Sequence, residues 1–426
     1  RRRRSRAGRG AGAPGGREGW GSSHTYRPRA CGSCARSGKL PPIRPTRNFF
    51  RLAALLALAL ACSPAARRGA PFWYRDRDWN RGSEAYSAWF GDARDGVLYF
   101  GLSPFWTLWW QSGGDPRGDL GAAGDQLIGR FDLRAREFLP PLRARAAADG
   151  SRSGIWDVLA HSSGRIYYTT FYEQLGWIDP QSGAGECFTH LGRGFNELAE
   201  GPAGRVYATR YADAPEQPDG GSFGAVTAIE PDGALVWEAR FARAPDGTFT
   251  APKSLAVDPR SGEVWLNTDT FERGTPARHE TLRLSAQGEL LERRAGPEEL
   301  QFAAFSASGE GWFAELRDGW IWLRLRAPDE PERALRMTRL HALDFVQDIK
   351  PGSGASAVVA LWSRRAFAVR ATKTGLSAQE VRFRVPEDCA PPAHRSLLYT
   401  AVEWNGELYA TLFCGPTILR APLPAR

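Results

Sequence analysis

Short apolar runs alternate with polar breaks along most of residues 85–424, and the breaks carry a register mark. Six times a turn glycine is followed three residues later by Tyr or Trp: Gly96 and Tyr99, Gly164 and Tyr167, Gly204 and Tyr207, Gly262 and Trp265, Gly309 and Trp312, Gly406 and Tyr409. Each pair sits between two apolar runs, so the unit reads as strand, tight turn, strand. A hairpin recurring at this spacing is the signature of a β-propeller. The register predicts an all-β fold, a single propeller of seven four-stranded blades, at 85–140, 156–190, 195–245, 252–294, 300–337, 344–384 and 396–424. The sixth is degenerate, with Ser353-Gly354-Ala355 in place of the clean turn. Outer hairpins are marked by Asp179-Pro180, Glu230-Pro231 and Ser285 to Gly288, where Pro pre-sets the turn and Gly supplies its left-handed residue.

The seventh blade shows three strands before the chain ends, and an open ring would leave a bare edge. The segment Ala70–Trp79 is the candidate for the missing outer strand. A six-bladed ring, with the aromatic first repeat packed as an appendage, is the alternative. Trp156, Trp177, Trp237, Trp265, Trp312, Trp322 and Trp362 fall inside predicted strands, where packing between wedge-shaped blades uses large flat side chains.

Charge changes the picture little. The chain of 426 residues carries a formal +9, but residues 1–62 hold 14 bases against the single acid Glu18, leaving 42 bases and 46 acids beyond them. The basic balance belongs to the leader, which argues against nucleic acid as a partner. Residues 1–46 have almost no aliphatic side chains and read as a disordered basic leader, or an over-extended gene start. Cys31 and Cys34 lack the second CxxC that a zinc site would need. Residues 47–61 combine a basic flank with the apolar run Leu52–Ala61, too short to span a bilayer, and read as a secretory signal. Residues 63–84 are then a linker or the closing strand, and 85–426 the propeller. In an oxidising compartment Cys389 and Cys414 pair across a 24-residue loop, worth roughly 3 kcal/mol in the chain-entropy model, and Cys187 is left over.

Candidate chemistry gathers where inner strands begin and second strands end, since both open onto one rim of the central channel. Polar residues head five of the inner strands: Asp157, Asn196-Glu197, Lys253, Gln301 and Asp348. Asp157, Asn196, Glu197, Asn267 and Asp348 are oxygen donors of the kind Ca²⁺ or Mg²⁺ takes, and Lys253 among them is placed to neutralise an acid or activate a water. The same residues also suit a solvated tunnel that binds nothing. On the same rim, Trp106, Trp109 and Trp110 in a long blade-one loop, with Gln301 and Arg210, are candidates for ligand contact. The tryptophans equally suit a blade interface or a membrane surface. No HExxH or P-loop motif is present, which removes the enzyme classes built on them.

Two resemblances add to this. Cys62 directly after Ala59-Leu60-Ala61 resembles a bacterial lipobox, which implies cleavage before Cys62, lipidation of its thiol, and a place on the periplasmic face of the outer membrane or the cell surface. The unit from Asp157 to Thr169, repeated in Glu197 to Thr209 and Ser254 to Thr268, resembles the gluconolactonase-like and streptogramin-lyase-like propellers of NHL type. The former implies one divalent metal in the channel and hydrolysis of lactones or esters. Glu200-Gly201-Pro202 looks like that family's metal-binding opening, but it lies at the inner hairpin, away from the strand head. The leading expectation is a monomeric binding or scaffold module of the bacterial envelope, with a protein or glycan partner. The alternative is a metal-dependent hydrolase or lyase.

Overall fold

Each Gly-x-x-aromatic unit folds as a strand hairpin with its glycine in the left-handed region. The six glycines have φ between 73° and 88°, a conformation that side chains disfavour. The aromatic three residues on points into the interior: Tyr167, Trp312 and Tyr409 are fully buried. The structure is a computed structural model that describes residues 72–75, 87–103, 126–145, 154–170, 174–210, 224–241, 249–272, 275–295, 299–341, 344–352, 354–389 and 398–423. The chain divides into two units, 1–61 and 62–426, and all described residues lie in the second. The lipidation candidate Cys62 and the aromatic loop with Trp106, Trp109 and Trp110 lie outside the described residues.

Seven four-stranded antiparallel sheets make up the ring, as the register predicts. In chain order they span 87–143, 155–187, 195–241, 249–295, 299–339 and 346–382, and the seventh joins 398–422 to Phe72–Arg75. The closing strand pairs Phe72 with Arg420 and Arg75 with Thr417, so one blade is built from both ends of the ring. This excludes the six-bladed alternative and gives the outer strand expected within Ala70–Trp79. Cys389 and Cys414 are disulfide-bonded, and Cys187 is a free cysteine.

Burial follows strand position. Second strands such as Val206–Arg210 and Ser356–Leu361 are buried along their whole length, because neighbouring blades cover both of their faces. Outer strands such as Leu290–Ala295 are largely exposed and end the sheet. Every one of the seven blade interfaces carries its own apolar cluster, so the core is a ring of wedges. An eighth cluster, with Trp89, Phe90, Tyr399 and Phe413 at its centre, joins blades 1 and 7 and packs on Trp156.

All seven inner strands contain a β-bulge. In blades 1, 2, 3 and 7 two residues oppose one: Trp89 and Phe90, Trp156 and Asp157, Asn196 and Glu197, Tyr399 and Thr400. Blades 4, 5 and 6 have a single extra residue, Lys253, Gln301 and Gln347. A bulge leaves a backbone N–H without a ladder partner, and it re-aims side chains. In blades 2, 3 and 7 a threonine on the second strand supplies the partner. Asp157 donates its N–H to Thr169 Oγ1 at 3.3 Å, Glu197 to Thr209 Oγ1 at 2.9 Å and Thr400 to Thr411 Oγ1 at 3.1 Å.

Thr209 is fully buried, so Thr209→Val keeps the shape and orphans the Glu197 N–H. A buried donor left without a partner costs about 1–3 kcal/mol. Urea unfolding of the variant is expected to show a loss in that range. A change of only a few tenths would mean that the hydroxyl contributes nothing to holding the bulge.

Candidate functional site

The inner strands enclose a central cavity of about 490 Å³. Alternation along each strand turns every second side chain toward the axis, which brings Phe90, Asp92 and Arg94 of blade 1 onto the wall, and Asp348 and Lys350 of blade 6. Blades 2 and 3 contribute Asp157 and Glu197 from their bulges. The opposite wall, from blades 4 and 5, is apolar, with Leu255, Val257, Phe302 and Phe305. The cavity is therefore two-sided, with carboxyls and an ammonium facing hydrocarbon and aromatic rings. Its mouth lies at the inner-hairpin end of the channel, beside Ser162, Glu200, Ser306 and Ala307.

Several of these acids tie neighbouring blades together. Asp92 accepts from its neighbour Ala93 N at 2.9 Å and from Ala160 N of blade 2 at 3.1 Å. Asp157 repeats the device one blade on, accepting from Val158 N and from Leu198 N, both at 2.8 Å. Asp348 Oδ2 accepts from Thr400 Oγ1 of blade 7 and lies 3.6 Å from Lys350 Nζ. Glu197 Oε1 accepts from Trp156 Nε1 at 3.3 Å. Two acceptor atoms in this group have no hydrogen-bond partner among the described residues, Glu197 Oε2 and Asp348 Oδ1, and the Lys350 ammonium donates none within 3.5 Å.

Burial dominates the electrostatics. Asp157 is 6% exposed, and loss of water raises its pKa to about 7 against the pull of Lys350 and its two backbone donors. Burial, reinforced by Asp157 nearby, raises Glu197 well above the usual carboxylate range. Asp348 is raised by burial too, with Lys350 and the Thr400 hydroxyl opposing. Burial works against the Lys350 ammonium, but the combined field of Asp348, Asp92, Asp157 and Glu197 outweighs it and raises its pKa. A value of about 7 leaves Asp157 near its midpoint at neutral pH, and burial favours the neutral form of Glu197.

Of the five proposed metal donors, the structure brings Asp157, Glu197 and Asp348 into the cavity and leaves the two asparagines outside its lining. Asn267 Nδ2 donates to Gln301 O of blade 5 at 3.3 Å, the place that Thr169 Oγ1 takes when it donates to Asn196 O at 2.5 Å. The Asn267 side chain and the main-chain oxygen of Asn196 thus belong to the seams between blades. The carboxyl oxygens of Asp157 are both occupied by main-chain N–H groups, so the five residues do not make one donor set. Among the described residues no group of three or more His, Cys, Asp and Glu is arranged to hold a metal ion.

Lys253 and Gln301 occupy a different pocket, of about 420 Å³, lined also by Glu299, Leu316, Leu340, His341 and Phe345. Lys253 Nζ is 3.1 Å from Asp269 Oδ2, and His279 Nδ1 meets Asp269 Oδ1 at 2.5 Å. Arg210 is buried, 3.3 Å from Glu238 and with its guanidinium 4.4 Å from the Phe195 ring centre, so it braces blade 3. The channel residues that the strand-head argument passed over are Asp92, Lys350, Phe302 and Phe305. For Asp92, Lys350 and Phe302 the signal was the period-two alternation within inner strands, which continues past the polar heads; Phe305 at the strand end does not follow it.

Comparison with known proteins supports the fold alone. No family model matches the chain, and no curated protein does. Among solved structures, the extracellular domain of a putative hybrid two-component system from B. thetaiotaomicron is similar at 9% identity and TM-score 0.50. The alignment covers 83% of this chain and 42% of that domain. The Dos1 propeller is similar at 9% identity and TM-score 0.44, over 84% of this chain and 96% of that one. The chain is a seven-bladed β-propeller. No helix among the described residues is long and apolar enough to cross a membrane.

Proposed function

We propose that this propeller is an exported recognition module of the bacterial envelope that takes a small ligand into its central cavity. The observation that carries the reading is the cavity itself. A space of about 490 Å³ falls in the usual range of small-molecule sites, about 300–1,000 Å³, and its lining combines an apolar wall with a few converging polar groups. Export is supported by the signal-like segment 47–61, and attachment to a membrane by Cys62 in its lipobox-like setting. Part of the extracellular domain of a putative hybrid two-component system is similar in fold, which accords with such a setting. A second reading, hydrolysis or elimination by the gluconolactonase-like route, is favoured by Asp157 and Glu197 as a base and an acid facing one space.

The test is retention of small molecules. Purified full-length protein is incubated with a small-molecule extract of the cell envelope, desalted, denatured and analysed by mass spectrometry. Ala307 is exposed at the cavity mouth, so Ala307→Trp narrows the opening without touching the core. A compound enriched on the wild type and absent from Ala307→Trp is the expected result. Equal retention by both proteins would move the site out of the channel.

A further inference from the structure

Four carboxyls line the cavity wall, those of Asp92, Asp157, Glu197 and Asp348, and a single ammonium, that of Lys350, stands among them. Arg94 and Glu200 at the mouth are a cation and an anion and offset each other. Arg94 is also engaged by the carbonyls of Ala160 and Ser162, and Glu200 by Ser162 N at 2.9 Å. A buried excess of acids is costly unless cations or protons neutralise it. The acceptors left open by the fold are Glu197 Oε2 and Asp348 Oδ1, on blades 3 and 6. Across the cavity from the acids stand Phe302, Phe305, Leu255 and Val257.

Resting on the reading of this cavity as a ligand site, we propose that its ligand is a small organic cation, an ammonium group on an apolar body. The ammonium is held by Glu197 and Asp348, and the body lies on the Phe302 and Phe305 wall. A bare divalent ion is a poorer occupant on two counts. The carboxyl oxygens of Asp92 and Asp157 are already tied to main-chain N–H groups, and the space is far larger than an ion. A neutral ligand would give the open oxygens of Glu197 and Asp348 no charged partner.

The cation takes the place of a proton. Glu197 is faced by Asp157 and Trp156 of blade 2, Asp92 of blade 1, and Asp348 and Lys350 of blade 6, and burial in this setting favours its protonated form. When the ammonium enters, the Glu197 O–H bond gives its proton to solvent, and the carboxylate accepts a hydrogen bond from the ligand. No covalent bond of the ligand changes. Affinity therefore rises with pH as Glu197 gives up its proton, and binding releases that proton where it is still held.

Calorimetric titration of the full chain decides this. The probes are phenethylamine and hexylamine, with phenethyl alcohol and hexanol as neutral counterparts, and calcium and magnesium chloride. Each is run at about pH 6 and about pH 8 in two buffers of different ionisation heat. The expected result is that an amine binds at least about tenfold more tightly than its alcohol, tightens toward pH 8 and releases protons. Glu197→Gln is expected to weaken the amine by about tenfold at the higher pH and to abolish the proton release. Alcohols that bind as tightly as amines would overturn the cation while leaving the cavity a ligand site. Divalent ions that bind when no amine does would overturn it in favour of a metal site. No binding of any probe also overturns it. If no extract compound is then lost on Ala307→Trp, the reading of the cavity as a ligand site falls as well.

Discussion

Deletion of residues 72–75 is expected to lower the melting temperature by about 10 °C or more and to make the protein prone to association. This strand pairs with Thr417–Arg420 over four residues and forms the outer edge of blade 7. Its Tyr74 ring packs 5.0 Å from Phe131 of blade 1, so the strand also seals the seam where the first and last blades meet. Without it, Ile418 and Leu419, both fully buried, would sit on an unpaired edge. Loss of a few hydrogen bonds at about 1 kcal/mol each and re-exposure of these side chains sums to roughly 3–6 kcal/mol. At about 2–4 °C per kcal/mol for a large domain, this reaches the stated shift. The free edge would be a template for another chain. Calorimetry and light scattering on the deletion, beside a truncation of residues 1–71 that keeps the strand, check the expectation. Equal melting of the two proteins would show that closure by this strand contributes nothing.

How much of this was legible in the sequence depends on whether a residue type is tied to a conformation. The turn glycines gave the register because only glycine takes a φ of 73° to 88° without strain, and all six sit where the spacing put them. The degenerate sixth blade was still found, since Val358, Val359, Ala360 and Leu361 form one continuous apolar run, as a strand covered on both faces must. The closing strand was found by counting strands in the last blade. Bulges were not legible, because no residue type announces a slipped register. The slips in blades 2 and 3 turn Asp157 and Glu197 into the cavity, while the single-residue slips in blades 4 and 5 leave Lys253 and Gln301 in another pocket. Residue type alone placed all four at one rim. Asp92 and Lys350 were missed for a related reason. They lie inside their strands, one alternation beyond the position of the heads where polarity stands out, and only the closed ring sets them opposite Glu197.

The same buried acids should invert the ordinary dependence of stability on pH. A carboxyl whose pKa is raised on folding binds its proton more tightly in the folded state than in the unfolded one. Its contribution is complete below the unfolded pKa and is lost as pH rises through the folded pKa. For Asp157 these limits are 3.8 and about 7, so stability should fall between about pH 4 and pH 7 by on the order of 4 kcal/mol. Glu197 and Asp348 are raised as well and act in the same sense. Surface acids pull the other way, but lower on the scale. Burial notwithstanding, hydrogen bonds from Arg365 lower the pKa of Glu380 and those from Arg420 lower that of Glu407, so their contribution is lost only as pH falls below the usual carboxylate range. The melting temperature is therefore expected to peak near about pH 5 and to decline toward pH 8. Glu197→Gln tests the cause, because its amide oxygen can still accept from Trp156 while the charge is gone. It should melt higher than the wild type at pH 8 and show a shallower decline. A wild-type melting temperature that is flat or rises over this range would mean that the channel acids are compensated in the folded state, and the excess of negative charge would no longer be there for a cation to neutralise.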